Sequence, residues 1–460
     1  MKLKSYLSAL LLLAMLAALT GCANQTRDTS SADKVPESAS ANQPTAETPQ
    51  KIERQVDAPI ELTLWYAGGK TAVNVLAEIV ADFNASQDAY RVTTVTQADY
   101  SETYQKVQAG IAGGSAPDIA LLDVSDATSL AKKDLLENLS PLMDADTGFD
   151  RSDYIESFFS SGVLPDGSVF ALPAYGTTQV LYYNIAAFES AGIDPALIKT
   201  WQDLERAATE MTVKENGETV FYGWEPMYGV SNMIDAVLSN GGKVFSEDGR
   251  TAFINTPEWV EVWEAFRRWI HDDKIMTIHY GGQGWEYWYK TIDDVLQNKA
   301  GGYTGSSGDQ ADLDFSIVGA LEQPGWNSNP SAPSASALQF VAPKNDNAAA
   351  AAGAYEFMKF YTSPENQAKW SMATGYIPVR KSTVDVPEYK AYTDANPHAL
   401  VPMSQALHSR VLPVDPTGNL VYYALTIAAD KVEIENFSAQ EALDEAQEAA
   451  QAALDEYYGG

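Results

Sequence analysis

Apolar and polar residues alternate through Glu61-Leu62-Thr63-Leu64-Trp65 and the run stops at Gly68-Gly69, which predicts a strand entering a turn. Directly after it, apolar residues recur at Val73, Leu76, Ile79, Val80 and Phe83, the stripe of an amphipathic helix. The couple then repeats. Arg91–Val95 reads as a second strand, and Tyr100–Ile111 as a helix closed by Gly113-Gly114. Pro117–Leu122 reads as a short buried strand, with a third helix opening over Asp126–Lys133. Strands alternating with helices in this way predict an α/β fold whose sheet is mostly parallel and covered by helices.

Farther along the chain one helix-starting device recurs. Thr200-Trp201-Gln202-Asp203, Asn255-Thr256-Pro257-Glu258 and Ser363-Pro364-Glu365 each place a hydroxyl before a first turn that carries proline or acid. Ser438-Ala439-Gln440-Glu441 has the spacing of a capping box. The final helix it predicts sets Leu443, Ala446, Ala450, Ala453, Leu454 and Tyr457 on one face, for close packing against the body. Trp259 and Trp263, four residues apart, and Trp269 are expected in the core.

The first 58 residues break the pattern. Lys2 and Lys4 precede an apolar run, Leu7–Leu19, that is short for a membrane span, so residues 1–21 read as an export signal. It ends in Leu19-Thr20-Gly21-Cys22, a lipobox, where cleavage would leave Cys22 as a lipid-modified N-terminus. Cys22 is the only cysteine in the chain. Beyond it, residues 22–58 hold Ser, Ala, Thr, Pro and Gln with almost no large apolar side chain, the composition of a disordered tether. About 36 residues of such coil reach roughly 30–36 Å.

Composition narrows the chemistry of the remaining 400 or so residues, roughly enough for two lobes with a core each. A body without cysteine excludes disulfide frameworks, thiolate metal sites and cysteine nucleophiles. His271, His279, His398 and His408 have no metal-ligand spacing, so neither metal nor cofactor is expected. Loss of Lys2 and Lys4 with the leader takes the net charge from −32 to −34, which argues against nucleic acid as a partner.

Nine segments then fall in a characteristic order: Leu62–Lys70, Phe83-Asn84, Ala116–Ile119, Leu172-Pro173, Leu181–Asn184, Lys199–Trp201, Asn298–Gly301, Tyr361–Asn366 and Thr374–Pro378. Through them residues 60–458 resemble the extracellular solute-binding proteins that serve carbohydrate ABC importers. The resemblance implies two α/β lobes of a periplasmic-binding-protein fold, with ligand in the cleft between them. It divides the chain into a first lobe, 59–172 plus 332–361, and a second lobe, 173–331 plus 362–458, with a hinge near Pro173–Tyr175. A monomer that hands its ligand to permease subunits is implied as well, held outside the cytoplasm by its lipid anchor, and no catalysis.

A sugar presents hydroxyls that need donors and acceptors, and C–H faces that stack on aromatic rings. Ten Trp and 24 Tyr supply the second kind of surface, although core packing takes most of them. By the same resemblance Lys70 contacts sugar hydroxyls, as in maltose-binding relatives, or is simply a solvated lysine at a helix start. Asp123 and Asp126 follow the third strand, where relatives place ligand carboxylates; Asp126 could instead cap the next helix. Tyr100, Tyr175 and Thr177 match polar residues of glycerol-phosphate-binding relatives. Trp224 and Tyr228 flank a Glu-Pro turn like that of maltose binders and are the stacking candidates. One of Trp285, Tyr287, Trp288 and Tyr289 is expected at the cleft. Ser306 and Ser307 lie in a Ser-Ser-Gly loop that touches ligand in relatives, or in a plain flexible turn. Tyr376 and Arg380 flank the Gly-Tyr-Ile-Pro segment.

One segment departs from the resemblance. Glycerol-phosphate-binding relatives carry an arginine within the stretch matching Leu412–Asn419, where this chain has Val414-Asp415-Pro416-Thr417, with Arg410 out of register. A phosphate favours a bidentate guanidinium and is repelled by carboxylate. A neutral mono- or oligosaccharide is therefore expected, with glycerol 3-phosphate or a glycerophosphodiester as the alternative. Paired carboxylates in an aromatic cleft would also suit a surface-anchored glycoside hydrolase, and an adhesin is the remaining class.

Overall fold

The computed structural model describes residues 58–459, so Cys22, the leader and the tether through residue 57 lie outside the described residues. Three parallel strands open the body: β1 (Ile60–Tyr66) pairs with β2 (Tyr90–Thr96) on one side and β3 (Ile119–Leu122) on the other. Helices Lys70–Ser86, Tyr100–Gly113 and Val124–Lys132 follow them in turn. The first buries Val75, Leu76, Ile79, Val80 and Phe83, nearly the stripe read from the sequence. Gly114 ends the second in the left-handed region at φ 69°, where a residue without Cβ carries no steric penalty.

A long strand, β4 (Ala171–Asn184), then crosses the molecule. A short antiparallel hairpin of β5 (Val213–Glu215) and β6 (Glu218–Phe221) stands apart from the main sheet. The other strands are β7 (Glu225–Pro226), β8 (Gly302–Ser306), β9 (Val318–Leu321) and β10 (Ala335–Val341). Strand order is β2-β1-β3-β10-β4-β8-β7, with β9 also on β4. The expectation of a mostly parallel sheet needs amending. Only β1–β2, β1–β3 and β7–β8 run parallel, because the returning strands β4 and β10 pair antiparallel with each other and with their neighbours.

β4 changes partners along its length. Ala171–Thr178 pair with β10, and Gln179–Asn184 pair with β8 and β9. The register against β10 slips between Leu338, opposite Tyr175, and Gln339, opposite Pro173, which leaves Ala174 as the extra residue of a bulge. A bulge bends its strand and sharpens the local twist.

Two large cores flank this crossing. The first gathers Leu62, Leu64, Leu76, Ile79, Phe83, Leu172, Phe340, Phe357 and Tyr361. The second is rich in indoles: Trp201, Trp224, Trp259, Trp263, Trp269 and Trp326 are all buried there, with Leu443, Ala446 and Leu454 of the terminal helix Ala439–Gly459. Each such fully buried large side chain contributes about 1.5–3 kcal/mol. Trp370, Ile377 and Val379 fall within the stretch assigned from sequence to the second lobe, yet they pack in the first core. Tyr457, expected on the packed face of the last helix, is 49% exposed and lies edge-on to Tyr458. Of the expected caps, Thr200 and Asp203 form a full capping box and Ser363 accepts from Asn366 N, whereas Thr256 makes no cap bond to backbone.

Candidate functional site

In open α/β sheets the carboxyl ends of parallel strands face the ligand crevice. Lys70 starts the helix after β1, Tyr100 the helix after β2, and Asp123 immediately follows β3. Each position has a local cause. Asp99 accepts from Glu102 N at 2.7 Å and so sets the helix start that carries Tyr100. Asp123 occupies the cap position of the next helix but makes no side-chain cap bond, and Asp126 lies in its first turn, so neither carboxylate is spent on the helix end. Both keep some solvent contact while protein surrounds them. Burial pushes Asp123 up to about 6; burial and the charge of Asp123 together push Asp126 up to about 7.

Tyrosines connect this edge to the crossing strand. The hydroxyls of Tyr100 and Tyr175 are 3.1 Å apart. The Tyr175 ring packs on Tyr376, with centroids 4.5 Å apart, and on Trp370 at 4.9 Å. Beyond them is the Ser306–Gly308 loop. Thr177 Oγ1 and Ser306 Oγ are 3.4 Å apart, Gly308 N donates to Ser306 Oγ, and Ser307 Oγ is buried without a hydrogen-bond partner among the described residues. The loop leads directly into a 3-10 turn, Ser307–Asp312. Lys70 is exposed and shares a crevice of about 40 Å³ with Gly308, Asp312 and Tyr376.

A roomier cavity of about 430 Å³ adjoins Asp123. Its walls include Ser125, Ser157, Ser161, Ser336 and Asn419 as polar groups, and Tyr422, Tyr423 and the Val411–Val414 stretch as apolar surface. The size falls within the range usual for small-molecule sites. Among the described residues, Asp123 is the only charged one in that lining.

Several sequence candidates lie elsewhere. Trp224 is fully buried in the second core and donates its indole N–H to Thr304 Oγ1 at 3.0 Å, so it is a core residue and no stacking platform. Arg380 is held by Asp153, which accepts from Nε at 2.6 Å, and its guanidinium lies 4.7 Å over the Tyr154 ring. That makes it a structural tie. Tyr228 donates to Asp430 at 2.5 Å, packs edge-on against Tyr287 and is absent from the 430 Å³ cavity. Asp415 is buried, accepting from Thr417 N, Thr417 Oγ1 and Val421 N; its carboxylate caps a helix start and is not among the residues lining the 430 Å³ cavity.

In the aromatic run, Trp288 donates to Asp309 at 2.8 Å, and a β-carbon at Gly69 would lie 3.8 Å from the Tyr289 hydroxyl. Tyr289 is therefore the member of that run that reaches the β1 turn. Asp309 was not singled out by sequence. It is buried behind Ser306-Ser307, accepts from Tyr303 as well as Trp288, and burial pushes its carboxyl up to about 8. The serines of Ser157–Ser161 and the Tyr422-Tyr423 pair were also missed, since nothing in their local pattern differs from ordinary helix surface.

One further polar cluster lies around β7. Glu225 of β7, His279 and Asp294 bring one ligand atom each to within 4.8 Å of the others. Burial raises the Glu225 carboxyl to about 9.

Residues 78–397 match the family model described as bacterial extracellular solute-binding protein. The chain belongs to this family. Its role is substrate binding, and the hydrolase alternative falls away. The sn-glycerol-3-phosphate-binding periplasmic protein UgpB of Escherichia coli K12 is 26% identical over 349 residues, covering 72% of this chain and 77% of that protein. Among solved structures, UgpB from Mycobacterium tuberculosis in complex with glycerophosphocholine superposes with a TM-score of 0.76 at 21% identity, over 87% of this chain and 99% of that one. The cyclic α-maltosyl-1,6-maltose binding protein from Arthrobacter globiformis gives 0.70 at 23%, over 87% and 100%. At such identities the likeness establishes the two-lobed α/β fold.

Proposed function

We propose that this protein captures a neutral mono- or oligosaccharide in the 430 Å³ cavity and delivers it to the permease of an ABC importer. The lining of that cavity carries the reading: serines, an asparagine, tyrosines and one carboxylate, with no Lys or Arg among the described residues. Hydroxyl-bearing ligands need mixed donors and acceptors beside ring faces, which this set supplies. In this reading Asp123 and Asp126 accept sugar hydroxyls, Tyr100 and Tyr376 complete the wall, and Thr177, Ser306 and Ser307 line its extension toward β8, with Lys70 on a separate small crevice. The bulge at Ala174 serves as the hinge for closure. Trp370, Ile377 and Val379 move with the first lobe.

Cys22 anchors the body to the outer face of a membrane, a reading supported by its place after Leu19-Thr20-Gly21 and by its being the only cysteine. A monomer suffices for the role.

The relatives named for glycerol 3-phosphate and glycerophosphocholine favour a second reading, a glycerophosphodiester ligand. A thermal-shift panel separates the two by mass action. Neutral sugars are expected to raise Tm. A rise with sn-glycerol 3-phosphate or glycerophosphocholine and none with any sugar would reject the neutral ligand.

A further inference from the structure

We propose that Glu225, His279 and Asp294 form a site for a divalent transition metal of the zinc class. The three come from separate pieces of chain. Glu225 lies on β7, His279 on the segment after Met276 that bridges to Trp224, and Asp294 on the helix Glu286–Leu296. Their ligand atoms already converge. His279 Nε2 is 2.8 Å from Asp294 Oδ2 and 3.9 Å from Glu225 Oε2, and all three lie within 4.8 Å of one another. Ligands about 2.0–2.2 Å from a tetrahedral zinc stand roughly 3.3–3.6 Å apart, so separations would change by at most about 1.5 Å to admit the ion.

An independent observation singles out this cluster from other acidic groups on the molecule. Glu225 is 2% exposed, and its Oε2, the atom facing His279, has no hydrogen-bond partner among the described residues. A buried carboxylate oxygen left without a partner is costly, and a cation at the centroid of the three groups would satisfy it. Lys299 approaches Asp294 through the other oxygen, Oδ1, at 3.4 Å, so that Oδ2 is shared only with His279 Nε2, a hydrogen bond that an ion between the two atoms would replace. Solvent reaches the cluster, since the His279 and Asp294 side chains are 31% and 23% exposed, giving an entry path and a fourth position for water.

The donor set selects the ion class. One imidazole with two carboxylates suits zinc and its first-row neighbours, whereas calcium and magnesium prefer oxygen ligands throughout. Loaded, the site would tie β7, the 276–283 segment and the helix that carries Trp288 and Tyr289 into one unit.

The test uses tag-free protein stripped with chelator and titrated with zinc chloride by calorimetry. One zinc per chain is expected, with a rise in Tm that millimolar calcium or magnesium does not reproduce. Losing even an outer-shell partner costs a metal site about 10–100-fold in affinity, so His279→Gln and Asp294→Asn should each weaken binding at least about tenfold. Both side chains are partly exposed, which keeps the test available where Glu225→Gln fails to fold. His408→Gln, at the surface pair with Glu322, should leave binding unchanged. Absence of a stoichiometric zinc, equal binding by His279→Gln and wild type, or loss in His408→Gln would each overturn the site. Sugar binding is scored separately, so failure here leaves the proposed function standing.

Discussion

Gly308 allows the Ser306–Gly308 loop to sit directly against Tyr376. A β-carbon there would lie 2.6 Å from Tyr376 Cε1 and 2.7 Å from its hydroxyl oxygen, about 1 Å inside ordinary contact. Two opposing effects follow from Gly308→Ala. The backbone is not in the left-handed region, so its dihedral angles suit alanine, which on that ground alone would stabilise by about 0.4–1 kcal/mol through the unfolded chain. Overpacking costs about 1–3 kcal/mol, and moving the ring off Tyr175 forfeits about 0.5–1.5 kcal/mol of aromatic pairing. The clash should win, for a net loss of about 1–2 kcal/mol. In a Tyr376→Ala background the clash is gone and Gly308→Ala should become neutral or stabilising. Urea unfolding of the four proteins yields a coupling energy of about 1–3 kcal/mol if the contact is as described. A coupling under about 0.5 kcal/mol, with Gly308→Ala stabilising in both backgrounds, would refute the packing of Tyr376 on this loop. Sugar affinity should fall with the single variant, because Tyr376 is part of the proposed wall.

Trp224→Phe should lower stability by about 1–3 kcal/mol, by lost volume and by orphaning Thr304 Oγ1, while sugar affinity stays within about twofold; a selective loss of affinity would return Trp224 to the cleft. Asp126 titrates near 7 in the folded protein against 3.8 unfolded, so the native state binds the extra proton between those values and stability falls as pH rises through them. Asp126→Asn removes that loss. Its advantage over wild type should grow from near zero at pH 4 to on the order of 2 kcal/mol above pH 7, after allowing for solvent contact, as read by urea midpoints. A gap that stays flat with pH would contradict the burial of this carboxyl.

What the sequence disclosed depended on how local each feature is. The helix Lys70–Ser86 was legible because its stripe is a property of consecutive residues, and so were the caps at Thr200 and Ser363. The placement of Lys70, Tyr100 and Asp123 after the first three strands was legible too, since the ends of strands can be read without knowing what faces them. Trp224 and Arg380 were misread for a common reason. An indole or a guanidinium beside a turn looks the same whether its partner is a ligand or, as here, Thr304 or Asp153. The cluster of Glu225, His279 and Asp294 spans some seventy residues and has no spacing to find; only the folded chain brings it together.

The choice between sugar and phosphate turns on cations rather than on acids. The sequence argued from Asp415 as a repulsive charge, but that carboxylate is buried, accepts three hydrogen bonds at a helix start and does not line the cavity. What counts against a phosphate is the absence of a free guanidinium or ammonium from the cavity lining among the described residues. Arg380 is held by Asp153, and Lys70 opens on a crevice of about 40 Å³, too small for a phosphodiester. Asp123 adds to the case. With its carboxyl held near 6, it is largely ionised at neutral pH and would oppose an anion, yet it accepts readily from hydroxyls. A phosphate in this cavity would therefore meet an uncompensated carboxylate, whereas a sugar would meet an acceptor.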